Sequence, residues 1–201
     1  MLVAYSNLLG TPILSVQAGG TIGYLKSAIV DPDTLKILAF RLQGPLIGPA
    51  NLLDTQSIRE YSSLGMVIDD ADELVEEGDV IRIKEVLELN FDLLTLKVET
   101  KKGSKLGKVI DFTLNSDDYV IQQIIVKRPL IKALNDPELT IPRTEIVEIT
   151  DYKIIVKDEE KTIKARAEKE DFIPNFVNPF RNSEQGFAPA DSQNLADKDT
   201  E

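Results

Sequence analysis

Hydrophobic and polar residues alternate with a period of two along residues 97–126, and a similar pattern runs along residues 14–42. In the later stretch this alternation places Ile110, Phe112 and Leu114 on one face of the chain. A period of two is typical of a strand that buries one face. The pattern therefore predicts β-strands in both stretches.

The two stretches are copies of one another. Gly103 and Gly107 follow Gly19 and Gly23 at a distance of 84 residues, without a gap. Glycine accepts a positive φ angle without a steric penalty, so we predict that all four are turn glycines between strands. Further along the chain the distance becomes 88 residues, which places four extra residues of the second copy in a loop. An internal period of this length, seen twice, indicates two similar domains in tandem.

The later copy carries the motif Lys105-Leu-Gly-Lys-Val-Ile-Asp111, followed by an acidic turn, an apolar strand, a long loop and an Ile-Pro pair at residues 141 and 142. In this order of features the chain resembles the PRC-barrel family. That family includes a domain of the photosynthetic reaction centre H subunit and the C-terminal domain of the ribosome maturation factor RimM. The resemblance covers residues 1–157 as two copies, and the first copy departs from it by having Tyr24 where the second has Lys108.

The resemblance implies an all-β fold of two tandem small PRC-like β-barrels with a mostly irregular C-terminal tail. The first barrel is expected at residues 1–79 and the second at residues 80–157. A charged helix and a largely disordered tail are expected at residues 158–201. At residues 80–89 we expect a short helix or turn that docks one barrel on the other.

The composition narrows the chemistry. The chain has 201 residues and lacks Cys, His and Trp. Without cysteine there is no disulfide or thiolate metal site, and the reducing cytoplasm is the expected location. Without histidine the commonest general base and metal ligand are missing. The sequence also shows no phosphate-binding glycine motif and no nucleophile spaced with a base. We therefore predict no catalytic residue, no metal site, no cofactor and no enzymatic activity.

The charge and the hydropathy of the chain limit the classes of partner that it is expected to bind. The net charge of −11 argues against DNA and disfavours RNA and anionic lipid surfaces. No apolar run approaches the roughly 20 residues that span a bilayer, so no direct membrane insertion is expected. The acidic run at residues 69–79 lacks the ligand spacing of an EF-hand, and we interpret it as a solvated loop rather than a cation site.

Two groups of residues are candidate partner-binding sites. The first is a locally basic set that either contacts RNA or an acidic partner or protects edge strands and turns. Its members are Lys101, Lys102, Lys105 and Lys108, with Lys127, Arg128 and Lys132 nearby. The second group is Phe172, Phe176 and Phe180, which recur every four residues in a polar tail. These aromatic residues either complete a barrel core or form a linear peptide that docks in a partner.

The leading functional prediction is a non-enzymatic protein-binding or adaptor module. One alternative, implied by the resemblance to RimM, is a ribosome-assembly factor that binds a basic ribosomal protein or RNA. Another is a small-ligand or enzymatic site between the barrels. A third is a scaffold of a membrane complex that acts through an anchored partner. A homo-oligomer is left open.

Overall fold

The structure is a computed structural model, and it describes residues 1–129 and 137–158. Its helices and strands have the following bounds: β1 Leu2–Ala4, α1 Tyr5–Leu8, β2 Pro12–Ser15, β3 Gly20–Asp31, β4 Lys36–Gln43, β5 Leu52–Asp54, β6 Glu60–Ser62, β7 Gly65–Ile68, α2 Ile81–Glu88, β8 Lys97–Thr100, β9 Lys105–Asn115, β10 Ile121–Lys127, β11 Glu138–Pro142, β12 Ile146–Ile149 and β13 Lys153–Val156. Short 3₁₀ helices cover Thr55–Ser57, Ala71–Glu73, Leu93–Thr95 and Arg143–Glu145.

The strands form two barrel-like sheets with the same topology. The first sheet has the order β5-β4-β3-β2-β7-β6, and the second has the order β11-β10-β9-β8-β13-β12. Neighbouring strands along these orders are antiparallel, except that β2 pairs in parallel with β7 and β8 pairs in parallel with β13. The predicted all-β class is confirmed.

The internal repeat is visible in small features as well as in strand order. The strands β7 and β13 are 88 residues apart, as are the 3₁₀ helices Thr55–Ser57 and Arg143–Glu145. Leu35 and Tyr119, which are 84 residues apart, both adopt a positive φ, of 52° and 58°. A positive φ is uncommon for such residues, so its recurrence indicates the same tight turn before β4 and before β10.

The strand alternation is interrupted by a bulge in β9. Asp111 lies opposite Ile125 and Val109 lies opposite Val126, so Ile110 is an extra residue without an opposite partner. Such a bulge turns the next side chain to the other face. Val109 is therefore buried and Ile110 is 40% exposed. The prediction that Ile110 shares the buried face of Phe112 and Leu114 is wrong for this reason.

The segment that precedes each repeat in the chain packs on the sheet of the other repeat. Strand β1 pairs with β9 of the second sheet, with Val3 opposite Leu114. Helix α2 instead buries Ile83 and Val86 in a cluster with Ile29 of the first sheet. The short helix expected near residues 80–89 is thus present, and its buried side chains contact the first sheet. Both sheets belong to one compact unit, Met1–Glu159.

Equivalent residues of the two repeats meet at the junction between the sheets. Lys36 and Val120, 84 residues apart, form an antiparallel bridge. The Ile37 N–H donates to the Tyr119 carbonyl oxygen at 3.0 Å, and the equivalent N–H of the second copy donates back at 2.8 Å. Such reciprocal contacts are those of an isologous interface about a twofold axis. The two repeats are therefore arranged like the subunits of a symmetric dimer.

Candidate functional site

The lysines singled out in the sequence lie in two different places. Lys101 and Lys102 belong to the turn between β8 and β9, where the Lys102 Nζ is 3.9 Å from an Asp158 carboxylate oxygen. Lys105 and Lys108 lie on β9 and are exposed. Only Lys108 lies in register with lysines of both neighbouring strands.

Three lysines form a row across adjacent strands. Lys108 on β9 lies directly opposite Lys97 on β8 and directly opposite Lys127 on β10. Residues directly opposite one another project from the same face of a sheet, and neighbouring strands are about 4.8 Å apart. All three side chains are exposed. We call Lys97, Lys108 and Lys127 the lysine row.

The row lies on interior strands of the sheet. Strands β8, β9 and β10 each have a neighbour on both sides. Lysines commonly protect an unpaired sheet edge, but this explanation applies to edge strands and not to these three. The alternative interpretation of these residues as edge protection is therefore excluded for the lysine row.

Within the part of the chain that the structure describes, the lysine row forms no close ion pair with a carboxylate. Among the residues that the structure describes, no carboxylate lies within salt-bridge distance of the three lysines. Glu99 is engaged by Lys153, whose Nζ is 3.4 Å from its Oε2. Glu138 lies opposite Lys127 on β11 and marks the end of the row.

A groove of about 610 Å³ adjoins the lysine row. Leu94, Ile110 and Pro129 supply apolar side chains to its lining, and all three lysines of the row also line it. The exposure of Ile110 follows directly from the bulge in β9. The groove therefore combines cationic side chains with an apolar wall.

Gly107 brings two strand backbones unusually close beside this groove. It has a φ of 148°, and an added Cβ would lie 1.9 Å from the Lys127 carbonyl oxygen. Only glycine fits such an approach. Gly107 and its counterpart Gly23 lie within β9 and β3, so describing them as turn glycines is incorrect. Gly19 and Gly103 do occupy turns, with φ angles of 66° and 80°.

The first sheet carries no charge at the position that corresponds to the row. There Tyr24 lies opposite Pro12 on one side and opposite Gln43 on the other. Tyr24 and Gln43 are the counterparts of Lys108 and Lys127 at a distance of 84 residues. The lysine row is thus a property of the second sheet and not of the repeated fold.

The junction between the sheets offers two smaller grooves. One of about 480 Å³ is lined by Lys36 and by residues 55–56, 58–61 and 116–119. Its pseudo-symmetric counterpart of about 310 Å³ is lined by residues 32–33, 35, 143 and 146–149. Phe40 and Tyr119 pack edge to face across the junction, with ring centroids 5.7 Å apart. Burial, with smaller contributions from Asp117 and Tyr61, raises the pKa of Tyr119 to about 12.

The remaining predicted residues are placed as follows. Lys132, Phe172, Phe176 and Phe180 lie outside the described residues, as does nearly all of the expected charged helix and tail. In the described ranges, no group of three or more carboxylates is arranged to hold a metal ion. Within the same ranges, no helix has the length and apolar character needed to cross a bilayer.

Sequence reasoning missed Lys97 as a member of the row. Glu99 lies opposite Lys105 and Val98 lies opposite Gly107, so the pairing skips Leu106. Counting outward from the turn without this bulge would place Gly107 opposite Lys97. The hairpin between β8 and β9 therefore indicated which residues face one another, but the bulge shifted the true pairing of Lys97 by one residue.

No family model and no curated protein sequence matches the chain.

Proposed function

We propose that the protein is a non-enzymatic, cytoplasmic protein-binding module of the adaptor type. Its two PRC-barrel-like repeats form the scaffold, and the lysine row with its groove is the recognition surface. The observation that carries this proposal is the alignment of Lys97, Lys108 and Lys127 on three interior strands.

The alignment is unfavourable in the isolated protein. Like charges placed directly opposite one another in a sheet are destabilising, by up to about 1 kcal/mol for each pair. Glu138, opposite Lys127 at the end of the row, offsets only part of this cost. The equivalent place in the first sheet is uncharged. Binding of a negatively charged surface would offset the repulsion between the lysines, so the arrangement is consistent with a binding site.

The charge of the whole chain sharpens the recognition. A chain with a net charge of −11 repels acidic molecules on average. A compact cationic site on such a chain orients an acidic partner toward one face during encounter. The second sheet is therefore the expected docking side.

A capture experiment with charge-reversal variants tests the proposal. Full-length protein is immobilised and exposed to native cell lysate as the wild type, as K97E/K127E, and as the control K26E/K84E. Lys26 and Lys84 are exposed on β3 and α2, so the control changes the net charge by the same amount. Proteins retained by the wild type and the control are expected to be lost from K97E/K127E.

Retention of the same proteins by all three variants would refute the lysine row as the recognition surface. All four substituted lysines are exposed, so we expect each variant to keep the wild-type fold. Circular dichroism of each variant checks this. With the fold intact, a loss of binding reports on the surface alone.

A further inference from the structure

We infer that the lysine row and the adjoining groove bind an acidic peptide segment of the partner protein, one that carries an apolar side chain next to its carboxylates. This inference rests on the proposed function and specifies the chemistry of the partner.

The size of the row sets the number of carboxylates. Three lysines on neighbouring strands about 4.8 Å apart span roughly 10 Å. Carboxylates on one face of an extended peptide recur about every 6.8 Å, and those on one face of a helix recur at about 5–6 Å. Either conformation presents two or three carboxylates to the row. The flexible lysine side chains accommodate the difference in spacing.

The groove adds a requirement for an apolar group. Lys108 and Ile110 both project outward from β9, two residues apart, and Leu94 lines the same groove. A ligand whose carboxylates reach the row therefore places its neighbouring side chain against Ile110 and Leu94. Burial of an apolar side chain there stabilises the complex and distinguishes the ligand from a simple polyanion.

Two other classes of anionic partner fit the face less well. Single-stranded nucleic acid is bound by stacking bases on aromatic side chains, and the residues that line this groove include none. A membrane surface is broad and would also meet Glu99 and Glu138, which flank the row. A peptide is narrow enough to follow the row without reaching Glu138. Glu99 also lines the groove, but its carboxylate is already engaged by Lys153.

The test uses full-length protein and a capped ten-residue peptide that contains four glutamates and two leucines, with binding followed by isothermal titration calorimetry. Two matched peptides replace glutamate by glutamine or leucine by serine. We expect the parent peptide to bind, with a dissociation constant that rises steeply with salt. The glutamine peptide should not bind measurably, and the serine peptide should bind about tenfold more weakly.

Protein variants locate the site. The substitutions K97E/K127E should weaken binding of the parent peptide by more than roughly tenfold, and K26E/K84E should leave it nearly unchanged. I110S should weaken the parent peptide but not the serine peptide, because it removes only the apolar contact. Equal binding of the parent peptide by the wild type and K97E/K127E would overturn the inference.

Two further probes separate this inference from the proposed function. A ten-residue oligothymidylate and phosphatidylglycerol vesicles are titrated in place of the peptide. If either binds at the lysine row while the peptide does not, the acidic-peptide inference is overturned in favour of nucleic acid or a lipid surface. If no probe binds but K97E/K127E still loses the proteins captured from lysate, the peptide inference fails while the proposed function stands.

Discussion

Among the glycines that the structure describes, Gly107 has the least room for a side chain. A methyl group at this position would overlap the Lys127 carbonyl oxygen, and its φ of 148° is unfavourable for any residue with a Cβ. We expect G107A to lower the free energy of unfolding by about 3 kcal/mol or more, from steric overlap and backbone strain together. Urea unfolding measures this loss.

The matched control for this substitution is G48A. Gly48 is exposed, and an added Cβ would meet no atom within 4 Å. Its effect should stay within about 0.5 kcal/mol. Equal stabilities of G107A and G48A would show that β9 and β10 are not in close contact at this point.

The buried hydroxyl group of Tyr119 makes the stability of the protein depend on pH in the alkaline range. Its folded-state pKa of about 12 lies above the ordinary value of 10, chiefly because of burial. Between these values the unfolded chain releases the proton and the folded chain keeps it, so stability falls as pH rises. The loss amounts to at most about 1.4 kcal/mol per pH unit.

The substitution Y119F removes this contribution. The stability difference between the wild type and Y119F, measured by urea unfolding at a series of pH values, should be constant below pH 10. It should then shift against the wild type up to a pH of about 12. A difference independent of pH would contradict the buried placement of the hydroxyl group.

At the scale of elements, an ion pair between a buried carboxylate and a half-exposed arginine connects helix α2 to the first sheet. Asp31, at the end of β3, is only 2% exposed, and its Oδ2 accepts a hydrogen bond from the Arg82 Nη2 at 2.6 Å. Burial opposes ionisation of Asp31. The hydrogen bonds from Arg82, from the Asp33 N–H and from Thr34 outweigh it, and they hold the pKa of Asp31 below its ordinary value of 3.8.

The stabilisation from Asp31 is therefore present above pH 3.8 and is lost as the pH falls through the lower folded-state value. D31N weakens a hydrogen bond to a charged group, and we expect it to cost about 1 kcal/mol at neutral pH. The difference from the wild type should shrink in acid. Urea unfolding at several pH values tests this, with D33N as the control because Asp33 is exposed and 3.7 Å from Arg82. A pH-independent difference would contradict this role of Asp31.

The sequence predicted most strands because their alternation and turn residues are local signals. It could not place the bulges at Ile110 and Leu106, since the position of a bulge is set by the pairing with the partner strand. The pairing of Lys97 with Lys108 depends on the bulge at Leu106, whereas between β9 and β10 the irregularities at Gln122 and Ile110 offset one another. For this reason Lys108 was found from the sequence while Lys97 was not.

At the scale of the whole molecule, the internal period revealed two copies, and their mutual arrangement came only from the structure. The bridge between Lys36 and Val120 joins residues far apart in sequence. The pairing of β1 with the second sheet reverses the order in which the segments occur along the chain. Contacts of such long range carry no local signal, so no periodicity could have indicated them.

This exchange makes the two sheets depend on one another for stability. Phe112 of the second sheet is buried and stacks on Tyr5, which precedes the first sheet in the chain, with ring centroids 4.5 Å apart. Buried residues of both sheets form one continuous core. Removing a large side chain from this core should therefore destabilise both sheets together.

We expect F112A to cost about 3–5 kcal/mol of unfolding free energy. Hydrogen exchange followed by mass spectrometry should show the slowest amides of β4 and β10 losing protection by the same amount, because both exchange through a shared global opening. V147A should change neither set, since Val147 is 43% exposed on β12. If β4 retained wild-type protection in F112A, the first sheet would unfold separately. The continuous core and the exchanged segments would then not couple the repeats.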